Sequence, residues 1–349
     1  MTGFTQIPMV SLQDWRTSDH PEEFARNLVE ICHRVGFFTL VDHGVDSEFL
    51  DRYFAAMTAF FALPVEVKET IEKRNSPWFR GWERIGSELT DNKVDYREQL
   101  DLSTEHAPRP PDTEPPYLRL DGPNPWLPDV EVPGFRATVD EFIDRVSALA
   151  TEIMGILAVG LGLEQNTFRD VFGERPLSLL KLVSYPPTPV GMAGVNSHHD
   201  AGFLTLLLQH DEGGLQALNP DGVWIDVPPT PHAFVVNLGE MLQAMTGNYL
   251  VATTHRVISP AQRYSSAYFH GPDLRTSLAP VELAPEYAAA VAASPRHRDA
   301  GFMAKREELL QGQSGTASQT APVYGQQLWN YYLRSYPEVV RQHYPVLVP

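Results

Sequence analysis

The stretch FLTLLLQHDEGGLQALNPDGVWIDVPPTPHAFVVNL, residues 203–238, holds four short apolar runs: FLTLLLQ, GLQAL, VWIDV and AFVVNL. Clusters of Gly, Pro, Asn and Asp separate them. Short apolar runs at close spacing, with turn residues and no helical pattern between them, predict strands of an all-β barrel or sandwich rather than βα units. The texture extends outward to LSLLKLVSY (177–185), ATTHRVI (252–258) and YSSAYF (264–269).

Around this β-rich region the pattern changes. IPMVSL (7–12) predicts a short strand, and Phe24, Leu28, Ile31 and Val35 recur at helical spacing up to Gly36. FFTLVDHG (37–44) predicts a strand closed by a turn, and Leu50, Phe54, Met57 and Phe61 form the apolar face of a second helix that stops before Pro64. Proline density over 106–135 excludes a helix or inner strand there, so this is a connector. Val139, Phe142, Val146, Leu149, Ile153 and Ile156 then mark a long helix on which a sheet can rest. Near the end, APEYAAAVAA (284–293) and YGQQLWNYYLRSY (324–336) predict helices flanking a polar loop, GQSGTASQTAP, for which a lid role is an expectation.

Composition narrows the partners. With 27 Lys+Arg against 44 Asp+Glu, a formal charge of −17, the chain is unsuited to nucleic acid, whose binding depends on cationic side chains. Ile153–Leu163 is the longest apolar span and is too short for a bilayer. MTGFTQIPMV lacks a basic start followed by an apolar segment, so no secretory signal is expected. The lone cysteine, Cys32, sits in a helical pattern as a buried thiol. The expectation is a cytoplasmic protein that acts on a small molecule, with no nucleic acid and no membrane as partners.

The chemistry is concentrated in GVNSHHDAG, residues 194–202. If this runs as a strand, alternation places His198 and Asp200 on one face and turns His199 away. His255, inside the β-branched run VATTHRVIS, supplies a third group. Two imidazoles and one carboxylate on one side of a metal leave neighbouring positions open, which suits non-haem Fe(II) oxygen chemistry and not a closed structural site. Arg263 and Ser265 in RYSSAYF again share a face, and a guanidinium plus a hydroxyl can grip a carboxylate. Tyr185 in KLVSYPP can add a phenol to the same anion.

These pieces resemble a known family. The strings GFFTLVDHGV, FFALPVEVKE, RGWERIGSE, DGPNPWLPDVEVPGFR, SYPP, HHDAGFLTLLLQHDEGGLQAL, VVNLGEMLQAMTGNYLVATTHRV and RYSSAYF run in the order found in Fe(II)- and 2-oxoglutarate-dependent dioxygenases of the isopenicillin N synthase-like family. The resemblance implies a mainly β protein with α additions: a double-stranded β-helix (jelly-roll) core with an N-terminal helical region and C-terminal helices. It implies one catalytic unit over 1–349, divided into an N-terminal α/β region and Pro-rich connector (1–135), scaffold helices (136–176), the jelly roll (177–275) and a C-terminal helical segment (276–349).

The resemblance also implies that His198, Asp200 and His255 bind iron and that Arg263, Ser265 and Tyr185 hold the distal carboxylate of 2-oxoglutarate. Dioxygen is the other cosubstrate. The implied reaction couples decarboxylation of 2-oxoglutarate to succinate with hydroxylation, desaturation or cyclisation of a small molecule, in specialised metabolism. Val183 stands where many relatives carry asparagine, and Lys181 stands where arginine is common and is expected to face solvent. LQAMTGNYLVATTHRV and AYFHGPDL are similar to the ethylene-forming branch, a local likeness only.

By the same resemblance, pocket walls are expected from the loop RGWERIGSELTDNKVDYREQL (80–100) and from the C-terminal segment after Phe269, with Arg80, Arg84, Lys93 and Arg97 read as solvated charges. Three other readings compete. A 2-oxoglutarate-independent oxidase of the same family would use the clamp for its substrate's own carboxylate. A non-catalytic jelly-roll binding protein would have little reason to keep an open iron site. A zinc hydrolase would have no use for Arg263 and Ser265.

Overall fold

A computed structural model describes residues 3–90, 93–298 and 323–345. Strands β7 (Leu179–Tyr185), β9 (Leu204–Gln209), β12 (Phe234–Leu238) and β14 (Arg263–His270) pair antiparallel in the order β12-β9-β14-β7. They form the centre of an eight-stranded sheet. Facing it is a four-stranded sheet of β11 (Trp224–Asp226), β10 (Leu215–Leu218), β13 (His255–Val257) and β8 (Val195–His198). From β7 to β14 the chain passes back and forth between the two sheets, with only β10 and β11 successive within one sheet, and the result is the expected jelly roll.

The large sheet is wider than the sequence suggests. On one side β2 (Phe37–Val41) pairs with β12, and β1 (Met9–Ser11) adds in parallel to β2. On the other side β6 (Glu98–Ser103) pairs with β7, and β3 (Gly81–Glu83) with β6. The two ends of the 80–100 segment are therefore strands of the large sheet, with irregular chain between them. The alternation of β6 is hard to read because both faces are buried: Leu100 and Leu102 on one, Gln99 and Asp101 on the other. A small hairpin, β4 (Leu89–Thr90) and β5 (Lys93–Val94), lies between β3 and β6.

The helices cover the outer face of the large sheet. Helix α5 (Phe135–Gly160) packs on β9 and β14 and against α2 (Pro21–Arg34) and α3 (Ser47–Phe61). Tyr53 of α3 stacks on Phe142 of α5 at 3.8 Å between centroids, and its hydroxyl meets Ser266 of β14 at 2.7 Å. Cys32 is fully buried in α2, and burial pushes its thiol upward, so it is inert. The 106–135 connector contains one short 3₁₀ turn, Pro116–Leu120. Helices α8 (Pro285–Ala293) and α10 (Tyr324–Ser335) match the expected C-terminal helices, with α9 (Pro295–Arg298) between them and α11 (Pro337–His343) following. The polar segment expected as a lid lies outside the described residues. No helix among those described is long and apolar enough to cross a membrane.

Gly36 joins α2 to β2 with φ 71°, and a Cβ there would sit 2.2 Å from the Val251 carbonyl oxygen. The same junction holds Thr253, whose hydroxyl donates to Val35 O at 2.6 Å. Gly36→Ala is expected to lower unfolding free energy by about 2 kcal/mol or more, since strain and collision add. Urea denaturation of both proteins checks this, and an unchanged midpoint contradicts it.

Candidate metal centre

The two histidines are a cross-strand pair. His198 ends β8 and His255 begins β13, and they are Cα partners with ring centroids 4.3 Å apart. Each Nδ1 faces a backbone carbonyl, Asn196 O at 2.8 Å for His198 and Thr253 O at 3.1 Å for His255. A carbonyl can only accept, so both Nδ1 atoms carry the proton and both Nε2 lone pairs are free. Phe37 packs edge-on against the His255 ring at 5.4 Å.

Asp200 lies beyond the end of β8, in irregular chain, so strand alternation is not what aligns it with His198. The large sheet aligns it. Thr205 of β9 and Asn237 of β12 are themselves cross-strand partners, and both donate to Asp200 Oδ2, at 2.5 and 2.7 Å. With Oδ2 occupied, Oδ1 turns to the imidazoles, 3.5 Å from His198 Nε2 and 3.6 Å from His255 Nε2. Among the described residues, this is the one set of three or more His, Cys, Asp or Glu whose ligand atoms all lie within 4.8 Å of one another. His199 is turned out of the set, its Nε2 2.8 Å from the Thr254 hydroxyl.

The electrostatics follow from burial and proximity. Burial disfavours the Asp200 anion, but His255, His198 and Thr205 outweigh it and hold the carboxyl well below the usual range. Burial, reinforced by His198, pushes His255 down to about 4. His198 is also penalised by burial, yet the hydrogen bond and charge of Asp200 raise it.

Arg263 is 1% exposed and projects into the same cavity. Its guanidinium donates to Ser265 Oγ and Gln209 Oε1, each at 3.1 Å, while Nε has no hydrogen-bond partner. Among the described residues no carboxylate lies within ion-pair distance. Tyr185, its cross-strand partner, offers its ring face, 4.7 Å from Cζ. A buried cation lacking a counter-anion is costly, so these residues fit a bound carboxylate. Val183 adds an apolar surface to the cavity.

Several charges read as solvated are buried. Lys181 meets Glu88 at 3.1 Å and Asp101 at 2.8 Å, and does not face solvent. Arg97 pairs with Glu88 at 2.5 Å and Asp95 at 3.2 Å. Arg80 donates to the Gly122 and Leu120 carbonyls. Only Arg84 and Lys93 are exposed. The partners of the buried ones are acids or backbone carbonyls distant in sequence or on irregular segments, which periodicity cannot reveal. Thr205 and Asn237 escaped the sequence reading too; the available signal was one polar residue inside each apolar strand, FLTLLLQ and FVVNL.

An open two-histidine, one-carboxylate centre beside a carboxylate grip is the equipment of a non-haem iron oxygenase with an acidic cosubstrate. Comparison with known proteins narrows that class. Residues 7–129 match the family model described as non-haem dioxygenase in morphine synthesis N-terminal, and residues 176–272 match the 2OG-Fe(II) oxygenase superfamily. A relative, the 2-oxoglutarate-dependent dioxygenase frbJ of Dothideomycetidae sp. (strain 11243), is 37% identical over 279 residues, spanning 77% of this chain and 75% of that protein.

Among solved structures, a full-length Neurospora crassa protein in complex with alpha-KG and thymine has a TM-score of 0.72 at 25% identity, covering 95% of this chain and 99% of that one. JOX2 in complex with 2OG, Fe and JA has a TM-score of 0.63 at 29% identity, covering 80% and 78%. The chain belongs to the Fe(II)- and 2-oxoglutarate-dependent dioxygenases, with Fe(II) and 2-oxoglutarate as its cofactor and cosubstrate.

The metal-free protein should lose stability in acid. His255 and His270 are pushed down by burial, to about 4 and about 3. Groups with depressed folded pKa values add stability that is complete above the ordinary histidine range and is lost as pH falls through the folded values. Denaturant midpoints should therefore drop between about pH 6.5 and pH 4, and a flat profile across that window contradicts the assignment.

Proposed function

We propose that His198, Asp200 and His255 bind Fe(II), that Arg263, Ser265 and Tyr185 hold the distal carboxylate of 2-oxoglutarate, and that the enzyme oxidises a carbon of a small molecule, by hydroxylation, desaturation or cyclisation, in specialised metabolism. The observation that carries this reading is Arg263: a buried guanidinium with no carboxylate within ion-pair distance among the described residues, in the same cavity as a tautomer-fixed His–Asp–His set.

The chain's own residues divide the work. The carbonyls of Asn196 and Thr253 keep both Nδ1 atoms protonated and so aim both Nε2 lone pairs at the metal. Thr205 and Asn237 hold the outer carboxylate oxygen of Asp200 and leave the inner one to coordinate. Arg263 and Ser265 lie on one face of β14 and can take both oxygens of a carboxylate, orienting the cosubstrate from its far end. Val195, Leu207, Leu215 and Val257 keep the remaining walls apolar. Iron, when bound, supplies the activation of dioxygen that is driven by decarboxylation of 2-oxoglutarate to succinate. The Neurospora crassa protein crystallised with thymine and JOX2 with JA are small-molecule cases that support a small substrate here. The requirement for reduced iron fits a cytoplasmic setting.

Anaerobic calorimetry tests the assignment. The wild type should bind 2-oxoglutarate tightly only with Fe(II) present, and Arg263→Gln should weaken that binding about 100-fold or more. Binding that is indifferent to Arg263 or to iron refutes the reading, and no tight binding of 2-oxoglutarate to the iron-loaded protein favours a 2-oxoglutarate-independent oxidase. His198→Ala should abolish iron uptake and succinate release.

A subtler change, Asn237→Leu, releases one donor from Asp200 Oδ2 and should reduce Fe(II) affinity roughly 10- to 100-fold. Metal titration monitored by intrinsic fluorescence reads the difference. Unaltered affinity removes Asn237 from the site.

A further inference from the structure

Two polar side chains on the cavity wall take no part in holding iron or cosubstrate: Lys181 and Arg97. Lys181 is saturated. Its ammonium has three protons to give, and it faces Glu88 Oε1 and Oε2 at 3.3 and 3.1 Å, Asp101 Oδ2 at 2.8 Å and the Tyr336 hydroxyl at 3.2 Å. Arg97 is not. One terminal nitrogen serves Glu88 and Asp95, but Nε is buried with no hydrogen-bond partner among the described residues, on a residue only 9% exposed. Leaving a buried donor of a charged group unsatisfied is costly, and an acceptor carried in by a bound molecule removes that cost. Gln99 Oε1 and Asp101 Oδ1 also lack donors, but neither residue lines the cavity.

Position supports a role for Arg97 in this cavity. Glu98 pairs with Ser184, so Arg97, one residue earlier, falls level with Tyr185, and Tyr185 pairs in turn with Arg263. Arg97 thus stands on the opposite side of Tyr185 from the carboxylate grip.

Charge sets the chemical class. Behind this wall Lys73, Arg97 and Lys181 face Glu83, Glu88, Asp95 and Asp101 through ion pairs of 2.5 to 3.2 Å. Burial pushes the Glu83 carboxyl upward despite Lys73, toward its neutral form. The wall is then balanced at best and otherwise negative, so a further buried anion is unfavourable. A cation has no acceptor to offer an N–H. A neutral carbonyl oxygen can satisfy the donor without adding charge.

We infer that Arg97 recognises the substrate, its Nε–H donating to a neutral carbonyl oxygen (amide, ester or ketone) on a compact molecule whose remaining surface is apolar. This rests on the reading that oxidation takes place in the cavity beside His198 and Asp200. The apolar part meets Val195, Leu207, Leu215, Val257 and Phe269.

The test uses the full chain loaded anaerobically with Fe(II) and 2-oxoglutarate, titrated calorimetrically with three probes of matched size: cyclohexanecarboxamide, cyclohexanecarboxylate and cyclohexylmethylamine. The amide should bind about tenfold tighter than either charged probe. Arg97→Lys keeps the charge facing Glu88 and Asp95 but loses the Nε–H; it should weaken amide binding about tenfold while Fe(II) and 2-oxoglutarate affinities stay within about threefold. Arg97→Gln, read the same way, guards against a lysine that reaches the acceptor by another route. Carboxylate binding tighter than amide, equal affinities for the three probes, or no binding of any probe to the loaded protein overturns the inference. So does a loss of 2-oxoglutarate affinity in Arg97→Lys that matches the loss for the amide, which assigns Arg97 to the cosubstrate. Failure of the wild type to take up iron or 2-oxoglutarate is a separate result that removes the underlying functional reading and this inference with it.

Discussion

The carboxylate of Asp200 is where the two sheets of the jelly roll meet. Its outer oxygen is held by Thr205 and Asn237, neighbours across β9 and β12 of the large sheet. Its inner oxygen faces His198 and His255, neighbours across β8 and β13 of the small one. Each sheet is rigid through its own ladder, so the distance between sheets sets the size of the metal pocket. The helical layer supports the arrangement from outside, with Tyr53 and Phe142 stacked over the back of β14, while Phe37 of β2 packs edge-on against His255 from within the large sheet.

Burial of charge is the second constraint. The interior of the large sheet carries two kinds of cation. Lys73, Lys181 and Arg97 sit in a closed network with Glu83, Glu88, Asp95 and Asp101, to which the C-terminal helices contribute the Tyr331 and Tyr336 hydroxyls on Glu88. Such a network is worth little to stability relative to apolar packing, but breaking one partner is expensive, so it fixes the relative placement of β6, β7 and the C-terminal helices. Arg263 is the other kind, a cation with polar neighbours and, among the described residues, no carboxylate within ion-pair distance. That contrast, within one sheet, separates the charges already neutralised by carboxylates from the one that a carboxylate cosubstrate would neutralise.

Much of this is legible in the sequence. Short runs bounded by Gly, Pro and Asn predict the β core because strands that cross between two sheets must be short and sharply turned. The H-x-D…H…R-x-S spacing points to the residues that the fold gathers, although Asp200 reaches His198 through irregular chain and not through strand alternation. The segment from Arg80 to Leu100 reads as a loop because apolar–polar alternation reports a strand only when one face is wet, and β6 is buried on both. Lys181 reads as solvated for a related reason: charge in a sequence suggests solvent, and only the partners Glu88, Asp101 and Tyr336, far away along the chain, reverse that.

The sequence by itself determined the class of core, the identities of the three metal-type side chains and the arginine–serine pair, because these depend on residue type and short-range spacing. Tertiary structure alone decided which carboxylate oxygen is free, which imidazole nitrogen carries the proton, which cations are neutralised and which are left with a hydrogen to give. Those are properties of distance and dielectric between groups separated by tens to hundreds of residues, and no local pattern encodes them.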